Sequence, residues 1–252
     1  MKFGCLCDAE NMAELADAGF DFGETGVEVL YPTRDDDAFR RARQDLLAEP
    51  LFAEVIRIPD AVEWASESTG PSPADQPPLD MHDLFRRAAL VGCRTLVTTV
   101  PGHQQCREVR DRAEAWRRAM NAIGLLAGEA ARSGLAIALS PNSGADGIAR
   151  TIDETWVLAE EVGHPAVGVV ADVGAVEDLA DIATAGPALK HVHLPLPRRF
   201  GGDFDTTTCY EAISALAEFG YRGRVAVADH WSVVCPHARD LLDDLTPLAR
   251  EV

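Results

Sequence analysis

A single (β/α)8 barrel spanning residues 1–252 is the fold this chain predicts, on three observations. Short apolar runs alternate with longer amphipathic ones from end to end. There are eight of each, and no linker-like stretch divides them. An open, doubly wound sheet is the alternative, but it would need no eighth strand near the carboxyl end.

The elements follow in order. Residues 2–7 and 20–24 are apolar runs of strand length on either side of a helical pattern at 11–18, which Gly19 closes. A second helix at 36–48 leads to a strand at 53–58. The Ser/Pro/Gly/Asp stretch 66–78 is the one low-complexity region and reads as a long loop, a lid for the C-terminal face of the barrel. A helix at 80–91, closed by Gly92, precedes the strand at 95–100. The helix at 108–133 ends at Gly134 and the strand 136–139 follows directly. Helix 151–162, closed by Gly163, leads into strand 167–171 and helix 178–185 into strand 189–193. Helix 207–219, closed by Gly220, strand 224–228 and helix 236–250 complete the pattern.

Composition narrows the function. Hydrophobic residues make up 47% of the chain, enough for a buried core and against disorder. No apolar run approaches the roughly 20 residues that span a bilayer, and Met1-Lys2-Phe3-Gly4-Cys5 runs into a strand rather than a secretion signal, so a cytoplasmic protein is expected, with no membrane partner. Only Lys2 and Lys190 are lysines among 23 basic residues, an arginine-heavy usage that suggests a GC-rich bacterial genome. The net charge of −18 repels phosphate backbones, so no nucleic-acid partner is expected. The expected partner is a small-molecule substrate; a homo-oligomer is compatible with the sequence. The cysteines at 5, 7, 93, 106, 209 and 235 include no C-x-x-C pair and read as reduced, mostly buried thiols, with zinc or disulfide roles as the other reading.

The most informative stretch is His191-Val192-His193-Leu194, followed by Arg199 and by Gly201-Gly202-Asp203-Phe204-Asp205. With Ala18-Gly19-Phe20-Asp21, Glu161-Val162-Gly163-His164-Pro165 and Phe219-Gly220-Tyr221-Arg222-Gly223, it resembles the xylose isomerase-like TIM barrels, the sugar phosphate isomerase/epimerase superfamily of carbohydrate metabolism, across nearly the whole chain. The acidity weighs against that superfamily's endonuclease branch. In metal-dependent members the resemblance implies an Mg²⁺ or Mn²⁺ ion held by a glutamate from strand five, an aspartate from strand six, the second histidine of H-x-H and a glutamate from strand eight. The two glutamates also move a proton between adjacent carbons.

On this chain the pattern is half kept. Asp172 and His193 match, whereas Ser140 and Ala228 stand where the glutamates are expected, and Ala175 and Leu196 where a further histidine and acid are expected. Metal binding through Asp172 and His193 is therefore predicted to be weak or absent, with two carboxylates lost. If His230 shares the axis-facing side with Ala228, then Asp172, His193 and His230 form a two-histidine, one-carboxylate set for catalysis or a divalent ion. The other reading of His230 is packing of the loop after strand eight. Asp229 would face the helices unless the strand bulges there.

Further candidates lie on the same face. Arg199 matches a position that often contacts substrate oxygens, and Arg198 beside it makes a bidentate clamp or a surface salt bridge. Glu24, ending strand two, is placed to bind a hydroxyl, to act as a base, or to make a structural hydrogen bond. His103 is a substrate contact or a solvated loop residue, and Ser140 and Asn142 are substrate-binding candidates at the end of strand five. His191, one layer below His193, is expected to be a buried, hydrogen-bonded core residue, and Cys7 a pocket-lining thiol. Three functions follow: an isomerase/epimerase moving protons on a small polyhydroxylated carbonyl compound; a metal-independent lyase, dehydratase or cyclase using His/Asp acid–base catalysis; and a non-catalytic sugar-binding descendant. A direct Asp172–His193 polar pair is expected to tune the histidine.

Overall fold

The computed structural model describes residues 1–30, 36–58, 81–100, 112–144, 147–176, 179–196 and 207–249. Eight strands close into a parallel barrel in sequence order: β1 Lys2–Leu6, β2 Phe22–Gly26, β3 Val55–Arg57, β4 Thr95–Thr99, β5 Ala136–Ser140, β6 Val167–Asp172, β7 Leu189–Leu194 and β8 Arg224–His230. Every neighbouring pair is parallel, and β1 against β8 closes the ring. The predicted barrel is the observed fold.

Helices α1 Met12–Ala18, α2 Asp36–Ala48, α3 Met81–Leu90, α4 Arg112–Ser133, α5 Ile152–Val162, α6 Leu179–Thr184 and α7 Thr207–Glu218 follow the first seven strands. Their apolar stripes, among them Leu15, Leu84, Ile123, Leu158 and Ile213, are buried against the outside of the barrel. All five glycines expected to cap helices have positive φ; at Gly163 (φ 65°) the N–H donates to Ala159 O. No described helix is long and apolar enough to cross a membrane.

Inside the barrel, Phe22, Val55, Val97, Ala138, Val170 and Ala226 form a separate apolar cluster. Phe22 fits because its neighbour is Gly4; a Cβ there would lie 2.4 Å from the ring. The N-terminal end is closed by charge. Lys2 Nζ and Arg224 Nε donate to the two Glu54 oxygens at 2.7 and 2.6 Å, and although burial works to raise it, these donors hold the Glu54 pKa below its ordinary value. Apolar packing and this ion cluster thus fill the barrel from below, leaving the C-terminal strand ends for chemistry.

Several elements differ from expectation. β2 starts at Phe22 rather than at residue 20, because Asp21 turns its carboxylate back onto Phe3 N at 2.8 Å. β8 runs to His230, past residue 228, because its register with β1 jumps from Cys5↔Val227 to Leu6↔His230. A short helix α8, Trp231–Val234, and a 3-10 turn, Cys235–His237, then precede α9, Ala238–Leu248, where the sequence predicts one helix. The expected lid at 66–78 lies outside the described residues.

Candidate active site

Alternation along β2 puts Glu24 on the same side as Phe22, one layer nearer the C-terminal face, and leaves its side chain fully buried. A carboxylate there needs donors on every side, and three converge on it. His191 Nε2 lies 2.8 Å from Oε2, His193 Nε2 lies 3.0 Å from Oε1, and Arg57 Nε donates to Oε1. Burial works to raise the Glu24 pKa, but His193 and His191 outweigh it and hold the group well below the usual carboxylate range. Glu24 is therefore ionised and can only accept hydrogen bonds, so both histidines must present Nε2–H to it.

That assignment fixes what the other ring nitrogens do. Burial holds the His191 pKa down against the pull of Glu24, so this fully buried ring is neutral, and its unprotonated Nδ1 has no hydrogen-bond partner. The buried, bonded histidine expected at 191 is what the fold contains. His193 is 6% exposed, and its Nδ1 is neither hydrogen-bonded nor sealed among the described residues. With Nε2–H on Glu24, the opposite ring nitrogen of His193, Nδ1, is the one left to offer a lone pair to a ligand. This is the arrangement of a general base with an orienting carboxylate.

Arg57 completes the cluster. It ends β3, two residues after the inward-facing Val55; its side chain is 36% exposed, and Nη2 lies 3.4 Å from His193 Nε2. One positive charge therefore sits on one buried negative charge, with N–H groups left over toward the mouth. Sequence reasoning missed Arg57. The available signal was an arginine closing the buried run Ala53-Glu54-Val55-Ile56, on the alternation that aims Val55 inward.

The other candidates fall into place around this cluster. Asp172 is the register partner of His193, but its Oδ1 accepts from Gly174 N at 3.1 Å. The expected Asp172–His193 hydrogen bond is replaced by Glu24–His193, because Asp172 caps the turn that leaves β6. His230 is not part of a set with Asp172 and His193 either. The register jump carries it to the rim, where it caps α8 by accepting from Ser232 N, and its Nε2 lies 3.3 Å from Asp8 Oδ2. Asp229, in the same irregular stretch, accepts from Leu196 N at 3.0 Å.

Ser140 and Ala228 are half-buried at the ends of β5 and β8. Asn142 ties two loops together, donating to Val100 O at 3.2 Å and accepting from Gly144 N at 3.2 Å. Cys7 is buried, and its thiol is pushed up to about 12 by burial and then by nearby Asp8 and Glu24, so it is no thiolate. None of the described cysteines, 5, 7, 93, 209 and 235, is joined in a disulfide. Arg198, Arg199, His103 and the 201–205 segment lie outside the described residues.

In solved structures the same barrel recurs at low identity. A D-psicose 3-epimerase from Clostridium cellulolyticum H10, crystallised with D-tagatose, matches with a TM-score of 0.76 at 18% identity, covering 99% of each chain. The 3-keto-D-glucoside 4-epimerase YcjR from E. coli matches with a TM-score of 0.71 at 16% identity over 98% of this chain and 99% of that one. The IOLI protein with a bound zinc atom gives 0.67 at 15% over 98% and 96%. No curated protein matches the chain in sequence. The model of one family matches residues 12–246, nearly the full length, and with the closed barrel it establishes that the chain belongs to the xylose isomerase-like TIM barrel family.

Proposed function

We propose that this chain is an isomerase/epimerase-type enzyme that moves a proton on a small polyhydroxylated carbonyl compound, without a metal ion. The observation that carries the reading is a histidine, His193, with Nε2 on a buried carboxylate and Nδ1 without a hydrogen-bond partner among the described residues, at the C-terminal end of the barrel. His193 Nδ1 takes the proton from the carbon beside the carbonyl. The C–H electron pair becomes the new C–C double bond, and the carbonyl oxygen becomes an enolate oxyanion. Delivery of the proton to the opposite face of the same carbon, by an acid on that side or by His193 after the enolate has turned over in the pocket, gives the epimer. Return to the former carbonyl carbon, with the neighbouring hydroxyl proton passing to the oxyanion, gives the isomer. Glu24 is a positioning residue that holds the tautomer and stabilises the imidazolium formed in between. Arg199 is proposed as a substrate anchor, since it stays charged and can hold oxygens by two parallel hydrogen bonds. That relatives of the same fold are named as sugar epimerases supports the substrate class.

The family resemblance implies a divalent ion, and the residues present do not fit one. Ser140 and Ala228 supply no anionic oxygen, and Asp172 and Asp229 each have one carboxylate oxygen on a backbone N–H, of Gly174 and Leu196. The remaining donor set, Glu24 with His191 and His193, already contains the Arg57 guanidinium. Buried thiols outside any disulfide at 5, 7, 93 and 209 suit a cytoplasmic site of action.

The reading is tested by incubating the protein, stripped of metal, with a panel of aldoses, ketoses and keto acids in D2O and following deuterium at the carbon beside the carbonyl by NMR. Incorporation with an unchanged skeleton supports it. Loss of water from the substrate assigns the chain to the dehydratases instead, and no exchange across the panel refutes the enzyme reading in favour of a sugar-binding role.

A further inference from the structure

We infer that Arg57 is a built-in cation standing where a metal ion would bind, and that it closes the Glu24–His191–His193 trio to divalent metal. By donor type the trio is a metal site: two imidazoles and a carboxylate, one ligand atom from each within 4.8 Å of the others. Zinc accepts such sets readily, drawing its ligands in to about 2.0–2.2 Å.

Two features keep the ion out. The Arg57 guanidinium lies against two of the three ligand groups, with Nε on Glu24 Oε1 and Nη2 3.4 Å from His193 Nε2, so an entering dication meets a fixed positive charge at contact distance. Both imidazoles also face Glu24 through Nε2–H, so a metal must displace two protons as well as the arginine. Removing the guanidinium changes the balance at once. Glu24 would then be a fully buried carboxylate without a cationic partner, a state that strongly favours capture of a cation.

The same placement gives Arg57 a role in turnover, a part that rests on the proposed acid–base function. Its side chain is 36% exposed, and no described residue takes Nη1. The outer N–H groups are thus available to an oxyanion developing in the pocket, the task a Lewis-acid ion performs elsewhere.

The test compares the full-length wild type with Arg57→Met, Arg57→Gln and Arg57→Lys, each confirmed as folded by circular dichroism. The proteins are dialysed against Zn²⁺, measured by elemental analysis, and titrated with Zn²⁺ by calorimetry. Wild type is expected to retain under about a tenth of an equivalent; Arg57→Met and Arg57→Gln should take about one ion per chain at least about a hundredfold more tightly. Arg57→Lys keeps the charge and should stay near wild type, and Glu24→Gln added to Arg57→Met should abolish the gain. The glutamine variant gives the answer if the methionine variant does not fold. Near-stoichiometric zinc in the wild type, no gain in a folded neutral variant, or a gain that survives Glu24→Gln overturns the inference. No substrate enters these measurements, so their failure is separable from failure of the proposed activity.

Discussion

Replacing Glu24 by Gln keeps the shape of the side chain and removes the charge at the centre of the cluster. The amide retains one acceptor oxygen and turns the other position into an NH2 group, which faces a donor where a carboxylate oxygen stood. Of the three N–H groups now on the carboxylate, from His191, His193 and Arg57, at least one loses its acceptor inside a fully buried site. Breaking a buried charge pair typically costs about 3–5 kcal/mol. The lower end applies here, because Arg57 is 36% exposed and can recover water, whereas His191 is fully buried and cannot. A loss of about 3 kcal/mol follows, and with a urea slope of about 3 kcal/mol/M the unfolding midpoint should drop by about 1 M. Urea titration at neutral pH, followed by tryptophan fluorescence and circular dichroism, measures it. In the Glu24→Gln background, Arg57→Met should cost much less than it does alone, since the partner is already gone. A midpoint shift under about 0.3 M, or full additivity of the two changes, refutes the view of Glu24 as a charged hub.

Further outcomes follow from the same geometry. His191 is held neutral by burial with its pKa below the ordinary value, so the unfolded chain takes up a proton first as pH falls. Its contribution to stability is present above about pH 6.5 and is lost as pH falls from there through the lower folded value, at up to about 1.4 kcal/mol per pH unit. Glu24, also depressed, contributes above the ordinary carboxylate range and loses its contribution only below it, so the two slopes fall in separate windows. His191→Gln should flatten the upper slope, and urea midpoints from pH 7.5 to 5 that do not change between the two proteins would contradict this. Separately, Ser140→Glu with Ala228→Glu supplies two anionic oxygens near Asp172 and His193 and should raise Mn²⁺ affinity by at least about tenfold over wild type, read by calorimetry. No gain would mean that those strand ends do not share a site.

The barrel was legible because its signals are periodic: apolar runs of strand length, helical stripes and glycines at five helix ends each repeat the same message. The site was legible only where one residue announces itself. His193 and Glu24 could be singled out as polar groups ending apolar strands, yet nothing in the linear order says that strands two and seven bring them within 3.0 Å. Asp172 pairs with His193 in the sequence reading because both match ligand positions of the family pattern; the two are indeed register neighbours, but a two-residue Asx-type turn to Gly174 takes one carboxylate oxygen. His230 was placed by strict alternation, which fails where the β1–β8 register jumps. Arg57 escaped because an arginine at a strand end is common on surfaces, and only the closed barrel shows that it faces inward onto a buried charge.

Solvent deuterium uptake by a responsive sugar, compared between wild type and His193→Gln, tests the central claim most directly. Glutamine can keep a hydrogen bond to Glu24 but has no basic nitrogen, so the fold should persist, with an unchanged circular dichroism spectrum and a modest change in midpoint. Exchange at the carbon beside the carbonyl should fall by at least about a hundredfold, the contribution expected of a positioned general base. Exchange in His193→Gln at the wild-type rate, in a folded protein, would place the base elsewhere and contradict the proposed chemistry.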